Sequence, residues 1–154
     1  MSAPASGFTV TSPAFVEGAP IPARFTADGN DVSPPLVLAN VPRDTVSLAL
    51  IMDDPDAPVG LWVHWVAWNL PPAATRLAEG ALPEGAVSGR NSWRRTGYGG
   101  PAPPSGVHRY FFKLYALDMA LDLPANTDKA GLERAMQGHV LAQTQLMGTY
   151  TRGR

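Results

Sequence analysis

The sequence predicts a mainly β protein, in which an antiparallel sheet core is followed by two short helices at the C-terminal end. Three observations predict this. Apolar segments of strand length recur between residues 8 and 117. The 16 prolines and 15 glycines make up 31 of the 154 residues, so the chain is rich in turns. Helical spacing begins only after residue 127, and strands segregated from helices favour an antiparallel sheet over βαβ winding.

The first part of the chain contains four predicted strands. Residues 8–11 alternate apolar and polar side chains and predict an edge strand. Residues 21–26 are similar, and Pro22 excludes them from the centre of a sheet. Residues 36–38 form a short strand candidate. Residues 46–52, VSLALIM, are continuously apolar, which indicates a strand buried on both faces.

The middle of the chain adds two strands and a long connection. Residues 61–70, LWVHWVAWNL, hold three of the four tryptophans and predict a central strand. Simple alternation places Trp65 on one face and His64, Val66 and Trp68 on the other. Residues 71–96 read as a long surface excursion anchored by Trp93. Residues 110–117, YFFKLYAL, are the last strong strand.

The C-terminal part changes to helical spacing. From residue 127 to 136, apolar residues recur at helix period, Thr127 or Asp128 is a suitable N-cap, and Gly138 ends the helix. From residue 139 to 150 a second stripe at a period of 3.6 residues predicts another helix. That stripe consists of Val140, Leu141, Thr144, Met147 and Gly148.

Composition narrows the class of protein. The length predicts a single domain, residues 1–154, and the net charge of −1 gives no basic field for nucleic acid or anionic membranes. The chain has no cysteine, which excludes disulfides, thiolate metal sites and a Cys nucleophile. No apolar run approaches the ~20 residues of a membrane span, and MSAPASGFTV lacks the features of a signal peptide. We expect a cytoplasmic protein, whose oligomeric state, a homodimer included, stays open.

Residues 97–110, GYGGPAPPSGVHRY, are the most distinctive segment. Four glycines and three prolines predict a rigid loop with free backbone amides. It leads into an apolar strand, where His108 and Tyr110 are two residues apart and face the same side. The alternative is a well-packed turn that binds nothing.

Other polar residues stand at strand ends. Asp54 and Asp56 lie in a proline-flanked turn, where they either orient a histidine or bind a cation, or else only stabilise the turn. His64 is either a satisfied core residue or a ligand-binding residue, whereas His139 at a helix start is expected to be structural.

If the strands predicted at residues 46–52, 61–70 and 110–117 are neighbours, these groups converge at one concave site. An aspartate that accepts a hydrogen bond from an imidazole favours the imidazolium, which binds anions. Such a site suits phosphate, a phosphate ester or a carboxylate, which would accept hydrogen bonds from two imidazoles, the hydroxyl of Tyr110 and loop amides. Because the imidazolium is the better donor to an anion, the affinity is expected to fall as the pH rises. Three arginines, Arg90, Arg94 and Arg95, either add charge at the rim or belong to a solvated loop.

Other chemistries have weaker support. Ser105 lies near His108, but no G-x-S-x-G elbow is present, and neither a P-loop nor a dinucleotide fingerprint occurs. A metal-dependent hydrolase using His64, His108 and Asp54 is a remaining alternative, although no His-x-x-x-His or similar spacing supports a metal site. No metal or cofactor is predicted.

These motifs together resemble the phosphatidylethanolamine-binding protein family, in its bacterial Raf kinase inhibitor-like branch. The matching residues are DPDAP from Asp54, His64-Trp65, Gly100-Pro101 and GVHRY ending at Tyr110. RFTADGNDVSPPL, SLALIMDDPDAP, LYALD and GHVLAQTQLMGTY extend the likeness over nearly the whole chain. Ala102 departs from the cysteine expected in many bacterial relatives, so no thiol role is expected.

The resemblance implies a two-sheet antiparallel β-sandwich with a small anion pocket at one end. By motif match the ligand-binding residues are Asp54, Asp56, His64, Gly100, Pro101, His108 and Tyr110. It implies a non-enzymatic protein that binds phosphate-type anions such as phosphate or phosphoethanolamine. Because some members of the family inhibit kinases or serine proteases, an inhibitory module acting on such a protein partner through its loops is the alternative.

Overall fold

The structure is a computed structural model that describes residues 7–152. Two antiparallel sheets face each other, which confirms the predicted two-sheet β fold. The signal-peptide interpretation concerns residues 1–10, of which 1–6 lie outside the described residues. The strands are β1 (Thr9–Thr11), β2 (Leu36–Ala39), β3 (Ser47–Asp54), β4 (Trp62–Leu70), β5 (Arg76–Leu77), β6 (Val87–Ser88), β7 (His108–Leu117) and β8 (Val140–Tyr150), with one α-helix, α1 (Lys129–Met136).

The larger sheet has the strand order β6-β4-β3-β7-β8, and the smaller has the order β1-β2-β5. The central strand of the larger sheet is β3, and all eight of its residues are buried. This burial agrees with its continuously apolar sequence, since a strand covered on both faces needs no polar side. Strands β4 and β7 pair with β3 on either side, so the ends of these three strands lie next to one another.

The two faces of β3 contribute to two separate cores. Leu48, Leu50 and Met52 pack between the sheets, together with side chains from β1, β2 and β7. Ala49 and Ile51 pack on the opposite face against residues of α1 and of the chain before it. Each fully buried aliphatic side chain contributes about 1.5–3 kcal/mol, so both layers hold the larger sheet rigidly in place.

The second predicted C-terminal helix is wrong, because residues 140–150 form strand β8. This strand pairs with β7 from His108 opposite Tyr150 to Leu117 opposite Val140. The helical stripe included Val140 and Leu141, which are 41% and 43% exposed. Burial instead alternates along the strand, and Leu146 and Gly148 face the core. The exposed edge of β7 satisfies the backbone of this segment, and that long-range pairing overrides the local period.

The strand predicted for residues 21–26 is also wrong. A 3-10 helix, Ala23–Phe25, follows Pro22 instead, and the amide of Phe25 donates to the carbonyl of Pro22 at 3.0 Å. This turn buries Ile21 and Phe25, so the apolar residues that suggested a strand pack into the core by another route.

The remaining elements follow the sequence closely. Strands β1, β2, β3, β4 and β7 occupy the predicted segments. Helix α1 begins after Asp128, whose side chain accepts from the amide of Gly131 at 3.0 Å, as expected of an N-cap. Residues 71–96 are less irregular than predicted, since they contain β5 and β6. No helix within residues 7–152 is long and apolar enough to cross a membrane.

Candidate functional site

The ends of β3, β4 and β7 enclose a cavity of about 210 Å³. Its polar lining is Asp54 from the end of β3, His64 from β4, and His108 and Tyr110 from β7. The structure therefore brings together four of the seven predicted site residues at one concave surface. All four side chains are almost completely buried, so any charge on them interacts strongly with its neighbours.

A β-bulge places His64 in this cavity. Met52 pairs with Trp65 and Asp53 pairs with Val63, so the residue between Val63 and Trp65 is extra on β4. Such an insertion breaks the alternation of faces. The predicted grouping of His64 with Val66 and Trp68 is therefore wrong, since these two pack on the far side of the sheet while His64 lines the cavity.

The ring of His64 is held by the glycine-proline loop. Its Nδ1 lies 2.7 Å from the carbonyl oxygen of Gly99. A carbonyl can only accept, so Nδ1 carries a proton and Nε2 is the ring nitrogen available to a ligand. Burial lowers the pKa of His64, because removal from water disfavours the imidazolium more than the Gly99 carbonyl and the Asp54 charge favour it.

His108 and Asp54 form a buried hydrogen-bonded pair. The Nδ1 of His108 donates to Oδ2 of Asp54 at 2.7 Å. The other carboxylate oxygen of Asp54 accepts from the amide of Asp56 at 2.7 Å, so the turn after β3 fixes the carboxylate. The pair confirms the prediction that an aspartate accepts a hydrogen bond from one imidazole. Asp54 thus supplies the countercharge when His108 is protonated.

Tyr110 lies between the two histidines. Its ring centroid is 5.2 Å from that of His64, edge to face, and 6.3 Å from that of His108, stacked. Its hydroxyl is buried and has no hydrogen-bond partner within residues 7–152. Burial, followed by the charge of Asp54, raises the pKa of Tyr110, so the phenol stays protonated and retains a hydrogen to donate.

Asp56 does not line the cavity. Its carboxylate makes a bidentate ion pair with the Arg109 side chain, with Nε and Nη2 each 2.9 Å from an oxygen, and also accepts from the Arg109 amide. The hydrogen bonds from Arg109 lower the pKa of Asp56 to about 2. This pair sits at the surface and ties the turn after β3 to the start of β7, so its direct role is to hold the frame of the cavity.

Gly100 and Pro101 lie behind the cavity wall, and the predicted free amides of this loop are wrong for Gly99 and Gly100. The amide of Gly100 donates to Asp31 Oδ1 at 2.7 Å, and the amide of Gly99 donates to the carbonyl of His64 at 3.0 Å. A Cβ on Gly100 would lie 2.5 Å from the Phe25 carbonyl oxygen, which explains the glycine. Ala102, Pro103 and Pro104 supply the loop's contribution to the lining.

Two tryptophans form an apolar wall that the sequence analysis did not assign to the site. Trp93 contacts His64 edge to face at a centroid distance of 5.0 Å and Trp62 at 5.5 Å. As predicted, Trp93 anchors the 71–96 segment. Its position beside His64 depends on tertiary packing. A large aromatic side chain in a connecting segment is nevertheless a signal that could have identified Trp93 as a candidate site residue.

The other candidate residues lie elsewhere. The three arginines, Arg90, Arg94 and Arg95, are exposed and do not line the cavity. His139 contacts Asp118 at the surface, at 2.9 Å. Within residues 7–152, no three His, Cys, Asp or Glu side chains are arranged to hold a metal ion. Nothing in this geometry supports the metal-dependent hydrolase alternative.

Known proteins are similar to this chain in sequence and in fold. A family model described as phosphatidylethanolamine-binding protein matches residues 11–151. A UPF0098 protein of Methanothermobacter thermautotrophicus is 52% identical over 145 residues, 91% of this chain and 96% of that protein. A UPF0098 protein of Chlamydia pneumoniae is 48% identical over 144 residues, 90% of this chain and 95% of that protein.

Solved structures give the same result. A phosphatidylethanolamine-binding protein homolog from Chlamydia trachomatis superposes with a TM-score of 0.92 at 44% identity, over 95% of this chain and 98% of that one. YbcL of E. coli, described as a new member of the mammalian PEBP family, gives 0.89 at 31% identity, over 95% and 99%. Sequence and structure agree that the chain belongs to the phosphatidylethanolamine-binding protein family.

Proposed function

We propose that this chain is a non-enzymatic binding protein for a small oxyanion, such as phosphate or a phosphate ester like phosphoethanolamine. One observation carries the proposal. The two histidines that line the cavity both use Nδ1 for an internal acceptor, Gly99 for His64 and Asp54 for His108. Each ring is thereby fixed, and its Nε2 is the atom that a ligand can reach.

The charge and size of the site support a small anion. When His108 is protonated, Asp54 balances its charge, so an incoming anion meets a hydrogen-bond donor inside a neutral pair. A cavity of about 210 Å³ is below the roughly 300–1,000 Å³ of sites for larger ligands. The wall formed by Trp62 and Trp93 lowers the local dielectric and strengthens hydrogen bonds to the anion.

The lining favours binding over turnover. The chain has no cysteine, and the cavity-lining side chains include no serine or threonine that could act as a nucleophile. Ala102 lines the cavity at the position where a cysteine is expected in many bacterial relatives. Fixed donors without a serine, threonine or cysteine nucleophile in the lining support the binding of an anion without turnover.

Isothermal titration calorimetry tests this proposal. We expect inorganic phosphate and phosphoethanolamine to bind the wild-type protein with one site at pH 6.5. His108→Ala is expected to abolish binding while the circular dichroism spectrum of the folded protein is retained. No heat of binding from either ligand at millimolar concentration would contradict the proposal.

A second candidate function is inhibition of a kinase or protease through the loops around the cavity. Two exposed valines favour it, since Val59 is 78% exposed at the cavity mouth and Val107 is 63% exposed in the glycine-proline loop. Exposed apolar side chains near a cleft are typical of protein contact sites. Pull-downs with wild-type protein and with Val59→Ser/Val107→Ser test it, with Val16→Ser as a control at an exposed valine outside the cavity lining. Enrichment of a kinase or protease that the double variant loses supports this function, and identical eluates contradict it.

We also propose a cytoplasmic location, in line with the expectation from composition. Cell fractionation with an antibody to the chain tests it, and recovery in an exported or membrane fraction would contradict it.

A further inference from the structure

The hydrogen bond from His64 to Gly99 determines what the other side of the ring can offer a ligand. The Gly99 carbonyl accepts from Nδ1 at 2.7 Å, so the proton of the neutral ring is on Nδ1. Nε2 of that tautomer carries a lone pair and can only accept a hydrogen bond. One wall of the cavity is therefore an acceptor.

Burial favours the neutral ring of His64, and this effect exceeds the opposite effect of the nearby aspartate charges. Asp53 and Asp54 come from β3, His108 and Tyr110 come from β7, and Trp93 packs edge to face on the ring. The carboxylate of Asp54 already accepts from His108 and from the Asp56 amide, and burial opposes a charge on His64.

The opposite wall is a donor. When His108 is protonated, Asp54 holds Nδ1 and Nε2 presents an N–H toward a ligand. A tetrahedral oxyanion between the rings then has to accept from His108 and donate to His64. An oxyanion without a hydrogen would place one of its lone pairs against the lone pair of His64 Nε2.

We propose that the cavity selects an oxyanion that itself carries a proton, meaning inorganic phosphate or a phosphate monoester, over sulfate and over phosphodiesters. This inference rests on the proposed function and specifies its ligand. An intact phospholipid is a diester, so its head group falls in the rejected class, whereas phosphoethanolamine falls in the accepted one.

The first experiment compares inorganic phosphate with sulfate by calorimetry on the wild-type protein at pH 6.5. Both ions are tetrahedral, but phosphate retains a hydrogen at this pH and sulfate has none. We expect sulfate to bind at least about tenfold more weakly, because it leaves a buried acceptor unpaired. Equal affinities would overturn the inference and leave the proposed function intact, whereas no binding of either ion would overturn both.

The second experiment separates free phosphate groups from lipid head groups. Methyl phosphate and dimethyl phosphate are compared at pH 5.5, below the second pKa of about 6 of a phosphate monoester, so both are mainly monoanions. We expect the monoester to bind at least about tenfold more tightly, since only it carries an O–H. A diester that binds as well as the monoester would overturn the inference.

His64→Gln supplies a matched variant, because a glutamine amide can both donate and accept. The variant is expected to bind phosphate and sulfate with similar affinity. Retention of the wild-type preference in folded His64→Gln would overturn the role of His64. The wild-type comparisons decide the proposal on their own if the variant does not fold.

Discussion

His64 and Gly99 are joined by two hydrogen bonds. The ring Nδ1 donates to the Gly99 carbonyl at 2.7 Å, and the Gly99 amide donates to the His64 carbonyl at 3.0 Å. Strand β4 and the glycine-proline loop thus fix each other's position at the cavity. The loop that closes the site also determines which nitrogen of His64 faces a ligand, so specificity and loop position depend on the same contact.

Asp54 and Asp56 are two residues apart, but their substitutions are expected to affect phosphate binding differently. Asp54→Asn is expected to weaken phosphate binding roughly tenfold or more, because the charge-assisted hydrogen bond that fixes the His108 ring is lost. Asp56→Asn weakens an exposed ion pair with Arg109 but keeps an oxygen that can accept from the Arg109 amide. It is expected to leave binding within about twofold, with a stability loss below about 1 kcal/mol. Calorimetry and urea denaturation of both variants test this pair, and equal loss of binding in the two would contradict it.

Tyr110→Phe is expected to separate binding from stability. The hydroxyl of Tyr110 is buried without a partner among the described residues, a state that costs about 1–3 kcal/mol. Its removal should therefore leave the free energy of unfolding unchanged or higher. The same change should weaken phosphate binding several-fold if the hydroxyl donates to the anion. A variant that binds normally would assign Tyr110 to packing alone.

The stability of the protein should fall as the pH is lowered below about 6.5. Burial lowers the pKa of His64 in the folded state, while the unfolded chain retains the ordinary value of 6.5. The unfolded state then binds more protons as the pH falls through 6.5, so acid favours unfolding. His64→Asn, whose amide can replace Nδ1–H, should lose less stability than wild type between pH 7.5 and 5.5 in urea denaturation. Equal losses would place the effect on other groups.

Asp53 is a buried carboxylate held by two lysines on the face of the larger sheet away from the cavity. Its Oδ2 contacts Nζ of Lys113 at 3.1 Å and Nζ of Lys129 at 3.0 Å. Either lysine alone can compensate the charge, so Lys113→Met and Lys129→Met should each cost about 1 kcal/mol. The double variant should cost about 3–5 kcal/mol, because it leaves an unpaired buried charge.

Addition of Asp53→Asn to that double variant provides the control. Removal of the buried charge should restore most of the lost stability, as measured by urea denaturation. A double variant whose loss equals the sum of the single losses would show that the lysines act independently of Asp53.

Local sequence predicted β3 and β4 well because their signal is local. The apolar run of β3 and the tryptophan-rich β4 bury both faces, as central strands of a sheet do. The prediction for the C-terminal segment, residues 140–150, failed because its apolar residues fit both a helical period and the alternation of a strand. Its alternation of Thr144, Leu146 and Gly148 becomes decisive only when β7 offers a free edge for pairing.

The candidate site was predictable in its residues and only partly in its geometry. The polar residues at strand ends identified Asp54, His64 and His108. The bulge that turns His64 into the cavity depends on the register between β3 and β4, which no spacing within residues 61–70 reveals. The pairing of Asp56 with Arg109 likewise depends on which side chains meet across the turn.

A crystal structure of the protein with inorganic phosphate at pH 6.5 tests the central claim most directly. We predict tetrahedral density in the cavity, with phosphate oxygens about 2.7–3.2 Å from Nε2 of both His64 and His108. An empty cavity at saturating phosphate, or phosphate bound only elsewhere on the surface, would contradict the account.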